Sequence, residues 1–560
     1  MEKRTLLAFI LSIAVLFLWE VFISPESAWF KKARPPSTTQ APAQPVEGKE
    51  PQPPAATEKP AAPATPATLP GTVAASPREF QDTWSIQTPL FETQLVSSGA
   101  RISFFKLKHY RQSVEPEAPL MNLIATQSSG FLPMAVDLIQ HADWELSTRP
   151  FQSASARSVE IPDGSPSRDI SLATEVPDRL RVTKTFAFAP DGYTLNVAIL
   201  LQNISQESLL DQLGISFYFQ PYSGKDESSY NKSQFVSYQD HSTSTLDVKE
   251  LLKKEHNLAP PMQWFGYENN YFLQAVIPID QAGFQVAPRV LDEPNGRMRA
   301  VYLTEPFQIE AGKEKTIHLK LYLGPKDLAS LKQADHDLAA AVDYGWFDFL
   351  AKPMLYALKW LYKYTHNYGV AIILITVIIK IVFWPLTHKS YKSMQGMKKL
   401  QPKMNALREK YKDNREKLNE ELMALYKTYK VNPMGGCLPM VLQIPVFFAL
   451  YRMLYSSVDL LHQPFMLWVN DLTSPDRLNV GFVIPYVGGL PVLTLLMGAS
   501  MFLQQKMTPS TGDPRQEKMM LMMPVVFTVM FINFPSGLVL YWLVNNVLSI
   551  AQQYLVNRQA

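Results

Sequence analysis

The stretch YGVAIILITVIIKIVFWPL, from Tyr368 to Leu386, decides the fold class of this chain. It is an almost unbroken apolar run of the length that crosses a bilayer as a helix, which takes about 20 such residues. One charged residue, Lys380, lies inside it, and a lysine deep in a span costs about 2.5–3.5 kcal/mol on insertion scales. The stretch therefore predicts a transmembrane helix that keeps a positive charge within the membrane.

Further apolar runs predict a multi-pass α-helical membrane protein. The additional predicted spans are Cys437–Tyr455, Leu490–Leu503 with its flanks, Met519–Phe534 and Leu538–Leu555. Pro-Ser-Gly at 535–537 separates the last two, so we expect them to form an antiparallel pair. With an apolar run at Leu6–Ile23 the prediction is six transmembrane helices. Residues 1–24 favour an uncleaved signal anchor over a cleaved signal peptide, because the run is long and no small-residue cleavage site follows.

Positive charge sets the predicted orientation. Residues 388–430 carry twelve lysines and arginines against five acidic residues, an excess that is typical of a cytoplasmic loop. Counting spans from this loop places both termini in the cytoplasm and residues 24–367 in the periplasm. The first helix alone is ambiguous, since Lys31, Lys32 and Arg34 follow it on the outer side.

The outer region divides into a flexible part and a folded part. Residues 25–79 predict a Pro/Ala-rich flexible tether, with too few large apolar side chains to fold. From 80 to 325 apolar and polar residues alternate, as in Thr316–Leu323. Arg181–Ala189 and Tyr193–Asn203 flank Pro-Asp-Gly and predict a hairpin. The sequence therefore predicts a periplasmic β-sandwich of about 240 residues.

Composition gives no support for metal, redox or nucleic-acid chemistry. The net charge of +3 gives no reason to propose binding to DNA. A single cysteine, Cys437, can form neither an intramolecular disulfide nor a Cys-based zinc site. The histidines of the outer region show no metal-ligand spacing: His109, His141, His241 and His256. We expect no catalytic residues, no metal and no cofactor.

Residues 344–367 predict an amphipathic helix. The apolar residues of one face are Phe347, Leu350, Met354, Leu358 and Leu361, and those of another face are Lys352, Lys359 and Lys363. Trp346 and Trp360 add interface-seeking rings. The pattern favours a helix lying in the outer membrane surface over a core helix of the outer domain.

Residues 388–430 predict a cytoplasmic helical hairpin. Apolar residues recur at helical spacing along its first helix: Met394, Met397, Leu400, Met404, Leu407 and Tyr411. Pro402 predicts a kink or a later start of that helix, and 412–414 predicts the turn. Methionine stripes are adaptable contact surfaces. Basic residues such as Lys398 and Lys399 attract anionic lipid, ribosomal RNA or a nascent chain.

The predicted spans contain other polar residues besides Lys380. The polar positions are Thr376 one turn earlier, Gln443 in the third helix, and Tyr541, Asn545, Ser549 and Gln552 on one face of the last helix. Each alone is commonly an interhelical contact, but together they indicate a wet, positively charged groove. The alternative is that Lys380 snorkels to the inner interface.

Four motifs resemble the YidC family of membrane insertases. They are YKSMQGMKKLQPK at 391–403, VNPMGGCLP at 431–439, QIP at 443–445 and FPSGLVLY at 534–541. The resemblance covers residues 345–555 closely. The first helix, the tether and the β domain match the layout of the Gram-negative form of the family.

The resemblance implies an insertase core at 368–556 with a groove open to cytoplasm and lipid. It implies an insertase and chaperone of the bacterial inner membrane that assists nascent membrane proteins, alone or with the Sec translocon and the ribosome. Anionic lipids are expected partners, and a small-molecule substrate is not. Relatives usually carry arginine where this chain has Lys380, so the charge is kept but bidentate geometry is not. A substrate-facing aromatic position of the family matches Trp542.

Two other function classes compete with the insertase. They are a solute transporter and an intramembrane enzyme, either with a carbohydrate-binding-like outer domain, because that domain in relatives resembles a sugar-mutarotase sandwich. The sequence shows neither the internal repeats of many transporters nor paired aspartates or a His-Glu-x-x-His helix. We therefore favour the insertase, which is not an enzyme.

Overall fold

The computed structural model describes most of the chain from residue 82 onward. It describes residues 82–558 apart from 127–129, 222–230, 232, 281–282, 413, 430, 432–437, 483, 485–486 and 508–513. The predicted signal anchor (1–24) and tether (25–79) lie outside the described residues. So do most of the motif at 431–439 and the centre of the predicted turn at 412–414.

The first described region is rich in β-strands. In chain order these are β1 (Thr83–Gln87), β2 (Phe91–Val96), β3 (Arg101–Arg111), β4 (Leu120–Asn122), β5 (Ala135–Leu138), β6 (Ser158–Glu160), β7 (Arg168–Val176), β8 (Leu180–Phe188), β9 (Thr194–Asn203), β10 (Leu209–Asp211), β11 (Leu213–Phe219), β12 (Gln234–Gln239), β13 (Ser242–Leu246), β14 (Met262–Glu268), β15 (Phe272–Pro278), β16 (Gln285–Asp292), β17 (Arg297–Leu303), β18 (Phe307–Ile309) and β19 (Glu314–Pro325). The predicted strand at Thr316–Leu323 lies within β19.

These strands form one large sheet and three smaller ones. The eight-stranded sheet has the order β13-β12-β14-β15-β19-β9-β8-β7, and the four-stranded sheet has the order β16-β17-β11-β5. The two pack face to face, because Phe219 of β11 stacks on Tyr267 of β14 with ring centroids 5.3 Å apart. A five-stranded sheet, β4-β3-β2-β1-β6, and a β10-β18 pair complete the β-rich domain.

The hairpin predicted around Pro-Asp-Gly is confirmed. β8 and β9 pair antiparallel, from Leu180 opposite Asn203 to Phe188 opposite Leu195. Along β8 every second residue is buried, as expected for a strand with one face on the core. The alternation that was visible in the sequence therefore sets the register of this pair.

Helices dominate the described residues after β19, and a short helix also lies between β13 and β14. In chain order they are α1 (Val248–Lys253), α2 (Leu328–Ala334), α3 (Asp348–Thr365), α4 (Tyr368–Lys410), α5 (Arg415–Thr428), α6 (Leu438–Ser456), α7 (Val492–Met507), α8 (Pro514–Phe531) and α9 (Ser536–Arg558). The helix α4 is continuous over 43 residues through Pro385 and Pro402. The helix continues past Leu386, where the predicted span ends, because each proline removes one helical hydrogen bond and the flanking bonds remain.

By length and composition, one helix among the described residues could cross a membrane. That helix is α4, and Lys518–Phe531 within α8 is a shorter apolar stretch. The count of six spans is therefore not shown by the structure. Part of the reason is that α7 has only 16 residues, and that α9 carries asparagines and glutamines that lower its mean hydropathy.

The end of the β-rich domain is joined to the helices by an ion-pair triad. Lys359 of α3 lies 2.6 Å from a carboxylate oxygen of Asp327, two residues beyond β19. Its ammonium also lies 2.9 Å from Asp459, just beyond α6. Asp327 in addition accepts the backbone N–H groups of Ala329 and Ser330 at the start of α2. The triad thus connects three separate parts of the chain.

The connection between α6 and α7, from 457 to 491, holds helix ends together. Asn367, which caps α4, donates through Nδ2 to the carbonyl of Phe465 at 2.7 Å. Ser536, the first residue of α9, donates its hydroxyl to the carbonyl of Asp471 at 2.7 Å. Asp476 accepts the backbone N–H groups of Leu493 and Thr494 in the first turn of α7. One connection therefore bonds the same end of three helices.

Candidate functional site

Lys380 lies buried between α4 and α9. Its side chain is only 6% exposed, and its ammonium donates to the hydroxyl of Ser549 at 2.7 Å. That hydroxyl donates in turn to the carbonyl of Asn545, one turn earlier on α9, at 2.7 Å. The ammonium thus contacts the neighbouring helix and lies in the interior of the helical region.

Two further polar contacts continue this line along the helices. Gln552 donates through Nε2 to the hydroxyl oxygen of Thr387 at 2.7 Å. Gln395 donates to the carbonyl of Val556 at 2.9 Å and to the side chain of Asn557 at 2.9 Å. The residue numbers increase together on both helices, so α4 and α9 run in parallel. We call these three contacts, at 380/549, 387/552 and 395/556–557, the α4–α9 seam.

A second polar face of α9 contacts α7. Asn546 donates to the hydroxyl of Ser500 at 3.0 Å, and Gln553 donates to the carbonyl of Met507 at 3.0 Å. Both side chains are buried. The asparagines and glutamines of α9 therefore serve two interhelical interfaces, which is the common role of such residues in helix bundles.

Two buried amide oxygens remain without a hydrogen bond. Among the residues that the structure describes, Oε1 of Gln552 and Oε1 of Gln553 have no hydrogen-bond partner. An unpaired buried acceptor costs about 1–3 kcal/mol. The part of α9 that follows Ser549, the partner of Lys380, thus holds two hydrogen-bond acceptors without a partner among the described residues.

Comparison with known proteins assigns the family. The YidC periplasmic domain matches residues 83–357 and the 60Kd inner membrane protein matches residues 360–560. A membrane protein insertase YidC from Syntrophobacter fumaroxidans is 55% identical over 561 residues and covers 100% of both chains. One from Syntrophus aciditrophicus is 39% identical over 569 residues, again with 100% of both covered. The chain belongs to the YidC family of membrane protein insertases.

Family membership decides between the competing function classes. The relatives are named as insertases and not as enzymes, and neither the solute transporter nor the intramembrane enzyme finds support.

A solved structure described as an active YidC insertase aligns with 84% of this chain and 91% of its own at 20% identity, with a TM-score of 0.36. The family also makes this an inner-membrane protein with a periplasmic domain.

Not all residues that the sequence grouped around Lys380 meet in this YidC-family chain. Thr376 is buried and donates its hydroxyl to Ile372 of its own helix at 2.6 Å. Tyr541 is buried and Asn545 is half-buried on α9, and Gln443 is half-buried on α6. The structure brings Lys380 together with Ser549, but no hydrogen bond joins it to these four side chains.

Trp542 belongs to an aromatic cluster on the side of α9 that faces α6 and α8. Its ring centroid lies 4.7 Å from that of Phe447 on α6 and 5.0 Å from that of Phe531 on α8. Neither of these rings was singled out in the sequence. Trp542 therefore lies in an apolar aromatic surface, distinct from the polar seam.

The seam also contains residues that sequence reasoning missed. Thr387 and Gln395 follow Lys380 at intervals of seven and eight residues, a spacing that keeps side chains on one face of a helix. That signal was present, but Thr387 looked like the end of a span and Gln395 like part of a separate hairpin. The continuity of α4 is what aligns them.

The residues of the predicted hairpin divide into buried and exposed ones. Met404 is 2% exposed and accepts a weak hydrogen bond from Tyr426 of α5 at 3.8 Å. It therefore packs α4 against α5 and is not an open contact surface. Met394 and Met397 are half-buried, whereas Lys398 and Lys399 are exposed.

The amphipathic helix α3 presents a different face from the one expected. Its predicted membrane face packs into the protein, as at Met354, Leu358 and Leu361, which are buried. The exposed face carries a stripe of aromatic rings, at Phe349, Tyr356, Trp360 and Tyr364, and Trp346 just before the helix is exposed as well. The aliphatic residues were assigned to the membrane because the sequence alone does not show what covers each face.

The described residues contain no group of three or more His, Cys, Asp or Glu side chains that could hold a metal ion. The candidate site is the buried ammonium of Lys380 bonded to the Ser549 hydroxyl, with the Gln552 amide further along the seam.

Proposed function

We propose that this insertase lowers the energy needed to bring a polar segment of a client membrane protein part-way across the inner membrane. The observation that carries the proposal is the buried ammonium of Lys380, bonded to Ser549 at 2.7 Å. An ammonium has three donors, and one hydrogen bond is formed to the described residues. In a medium of low dielectric constant, such a charge attracts acidic and polar groups more strongly than it does in water.

The proposed layout is the six-span arrangement predicted from the sequence. Both termini and the hairpin at 388–430 are in the cytoplasm, and the β-rich domain at 80–325 is in the periplasm. The tether at 25–79 joins that domain to the first span, and the insertase core comprises 368–556. The excess of basic residues at 388–430 supports this orientation. A reporter fused near Leu407 should read cytoplasmic and one near Thr243 periplasmic; the reverse would exclude the layout.

The proposed partners are nascent membrane proteins, with or without the Sec translocon. The exposed Lys398 and Lys399 support contact with anionic lipid headgroups or with the ribosome, since clustered basic residues attract both.

The aromatic stripe of α3 supports contact with the membrane. Trp and Tyr rings favour the interface between lipid and water, and here they are exposed on one face. We place this face, with Trp346 and Trp360, in the outer interface of the bilayer.

The decisive experiment replaces Lys380 by alanine and by arginine in cells that depend on the variant. Lys380→Ala should reduce insertion of a client whose translocated segment is acidic, and should spare a weakly charged client. Lys380→Arg should retain insertion of both, because it keeps the charge. Protein levels of all variants are matched. Full activity of Lys380→Ala on every client would contradict the proposal.

A further inference from the structure

Gln552 holds a buried acceptor whose orientation is fixed by its neighbours. The Thr387 hydroxyl donates its hydrogen to the carbonyl of Phe383 at 3.0 Å, so its oxygen accepts from Gln552 Nε2. This arrangement sets the orientation of the Gln552 amide. Its Oε1 is then the atom that has no partner among the described residues, although the side chain is only 2% exposed.

The ammonium of Lys380 contacts α9 close to this acceptor. Ser549, which holds the ammonium, and Gln552 are three positions apart, or about 4.5 Å along the helix axis. An extended peptide advances by about 3.3 Å per residue, and each residue carries one carbonyl acceptor and one N–H donor. Neighbouring peptide groups of one extended segment can therefore reach both.

We propose that an extended client segment separates α4 from α9 at the seam and bonds to both groups. A carbonyl or carboxylate oxygen of the client accepts from Lys380 Nζ, and a backbone N–H donates to Gln552 Oε1. The inference rests on the proposed function of Lys380 and extends it. Gln552 accepts a hydrogen bond from the client backbone, whatever the client sequence, whereas Lys380 favours acidic segments.

The hydrogen bonds of the seam can be exchanged for bonds to a client segment. Near Lys380 it is held by two side-chain hydrogen bonds, to Ser549 and between Gln552 and Thr387. A client oxygen replaces Ser549 as the acceptor for Lys380. A client N–H bonds to Gln552 Oε1 in exchange for the bond between Gln552 Nε2 and Thr387. Opening therefore exchanges two hydrogen bonds for two.

The first test compares variants of the full-length insertase on an acidic client and a neutral client. Gln552→Met keeps the size of the side chain and removes the acceptor, and should reduce insertion of both clients by about three- to tenfold. Gln553→Met makes the same change at the next position of α9, where the amide bonds to Met507 of α7, and should leave insertion within about twofold. If Gln553→Met reduces insertion and the thermal unfolding midpoint as much as Gln552→Met does, the role of Gln552 is structural and the inference is overturned.

The second test removes the donor from the client. Cell-free translation with an α-hydroxy acid replaces one backbone N–H of the client segment by an ester oxygen. At the contacted position the ester client should insert poorly with the wild type, and Gln552→Met should cause no further loss. Additive losses at every position scanned would overturn the inference.

Lys380→Ala separates the two proposals. If it impairs the acidic client while Gln552→Met impairs none, only the present inference fails. If neither variant impairs any client, the proposed function of Lys380 fails as well.

Discussion

Lys184 is a second buried lysine, and it lies in the β-rich domain. Its ammonium donates to the carbonyl of Gly99 at 2.6 Å and to that of Met134 at 2.7 Å. It is fully buried, and β8 thereby bonds two loops that are distant in sequence. The charge is satisfied by main-chain oxygens, so it stabilises the arrangement of the loops while it retains a large desolvation cost.

This lysine should make the stability of the domain depend on pH. Burial lowers the pKa of Lys184 well below 10.5, and Arg101 lowers it further while Asp137 opposes the shift. Between the folded pKa and 10.5 the unfolded chain binds the extra proton, so stability rises with pH across that interval. The unfolding midpoint of the β-rich domain should therefore rise toward pH 10.5 in wild type and stay flatter in Lys184→Met. Lys254→Met, at an exposed position, should keep the wild-type slope; an equal slope in all three proteins would refute the prediction.

At the residue scale, the sequence reveals a costly side chain but not its partner. Lys380 was identifiable from the span alone, because few lysines occur there. Its acceptor, Ser549, was visible as one of four polar residues on a face of α9, without a sign of which one the ammonium meets. Trp542 was assigned to the same site, and the structure places its ring against Phe447. Side-chain partners depend on the rotation of each helix, which residue type does not fix.

The helices α4 and α9 are the elements on which the proposed mechanism depends. They are joined by the seam, and only its last contact, between Gln395 and Asn557 at 2.9 Å, lies beyond Lys380 and Gln552. This pair can be cross-linked without altering the two proposed client contacts. Locking it tests whether the helices must separate.

Cross-linking this pair should stop insertion. In a Cys437→Ser background, Gln395→Cys and Asn557→Cys are joined by oxidation or by a short bifunctional reagent, and insertion is measured before and after reduction. We expect loss of insertion in the linked protein and recovery on reduction, because α4 and α9 can then part. Each single-cysteine variant serves as the control. Unchanged insertion by fully linked protein would show that the seam stays closed during function.

The helix α3 gives a second element-scale prediction, through Trp360. Its ring is 56% exposed and should lie at the lipid interface. The contribution of Trp360 is the difference in fluorescence between the wild type and Trp360→Phe. Lipids brominated near the headgroup should quench this contribution strongly, and aqueous iodide should quench it only weakly. Trp144, in the β-rich domain, provides the control. Its contribution, measured in the same way with Trp144→Phe, should not be quenched by the brominated lipid. Equal responses of the two would place α3 away from the bilayer.

Element positions were largely predictable, and element continuity was not. Apolar runs located α6 to α9 to within a few residues, because hydropathy acts locally. The continuation of α4 beyond Leu386 was not predicted, because the apolar run ends there and the helix nevertheless tolerates Pro385 and Pro402. The outward face of α3 was missed for a related reason. Which stripe faces protein is decided by the partners of the helix.

At the scale of the whole molecule, Lys359 couples the β-rich domain to the helices. Its ammonium contacts both Asp327 and Asp459, so Lys359→Met removes the cationic partner of two partly buried carboxylates. We expect the unfolding transitions of the two regions to separate in calorimetry, with the helical region unfolding independently of the β-rich one. Lys352→Met removes a half-exposed pair with Asp348 and should change little. A single transition in Lys359→Met would show that other contacts provide the coupling.

The order of strands could not be read from the sequence. Neighbouring strands such as β8 and β9 were predictable, because the turn between them has a strong signal. The pairing of β9 with β19 and the parallel pairing of β1 with β6 join segments that are far apart in the chain. Such pairings depend on the packing of the complete sheets, and no short motif specifies them.

The α6–α7 connection has a consequence for the permeability of the membrane to ions. It bonds one end of α4, α7 and α9 through main-chain and buried carboxylate contacts, at Phe465, Asp476 and Asp471. The seam lies toward the other end and is held largely by side-chain hydrogen bonds. In the proposed orientation the molecule opens toward the cytoplasm while its periplasmic end stays closed. A polar segment can then enter without a continuous water path for protons, so the membrane potential is preserved during insertion.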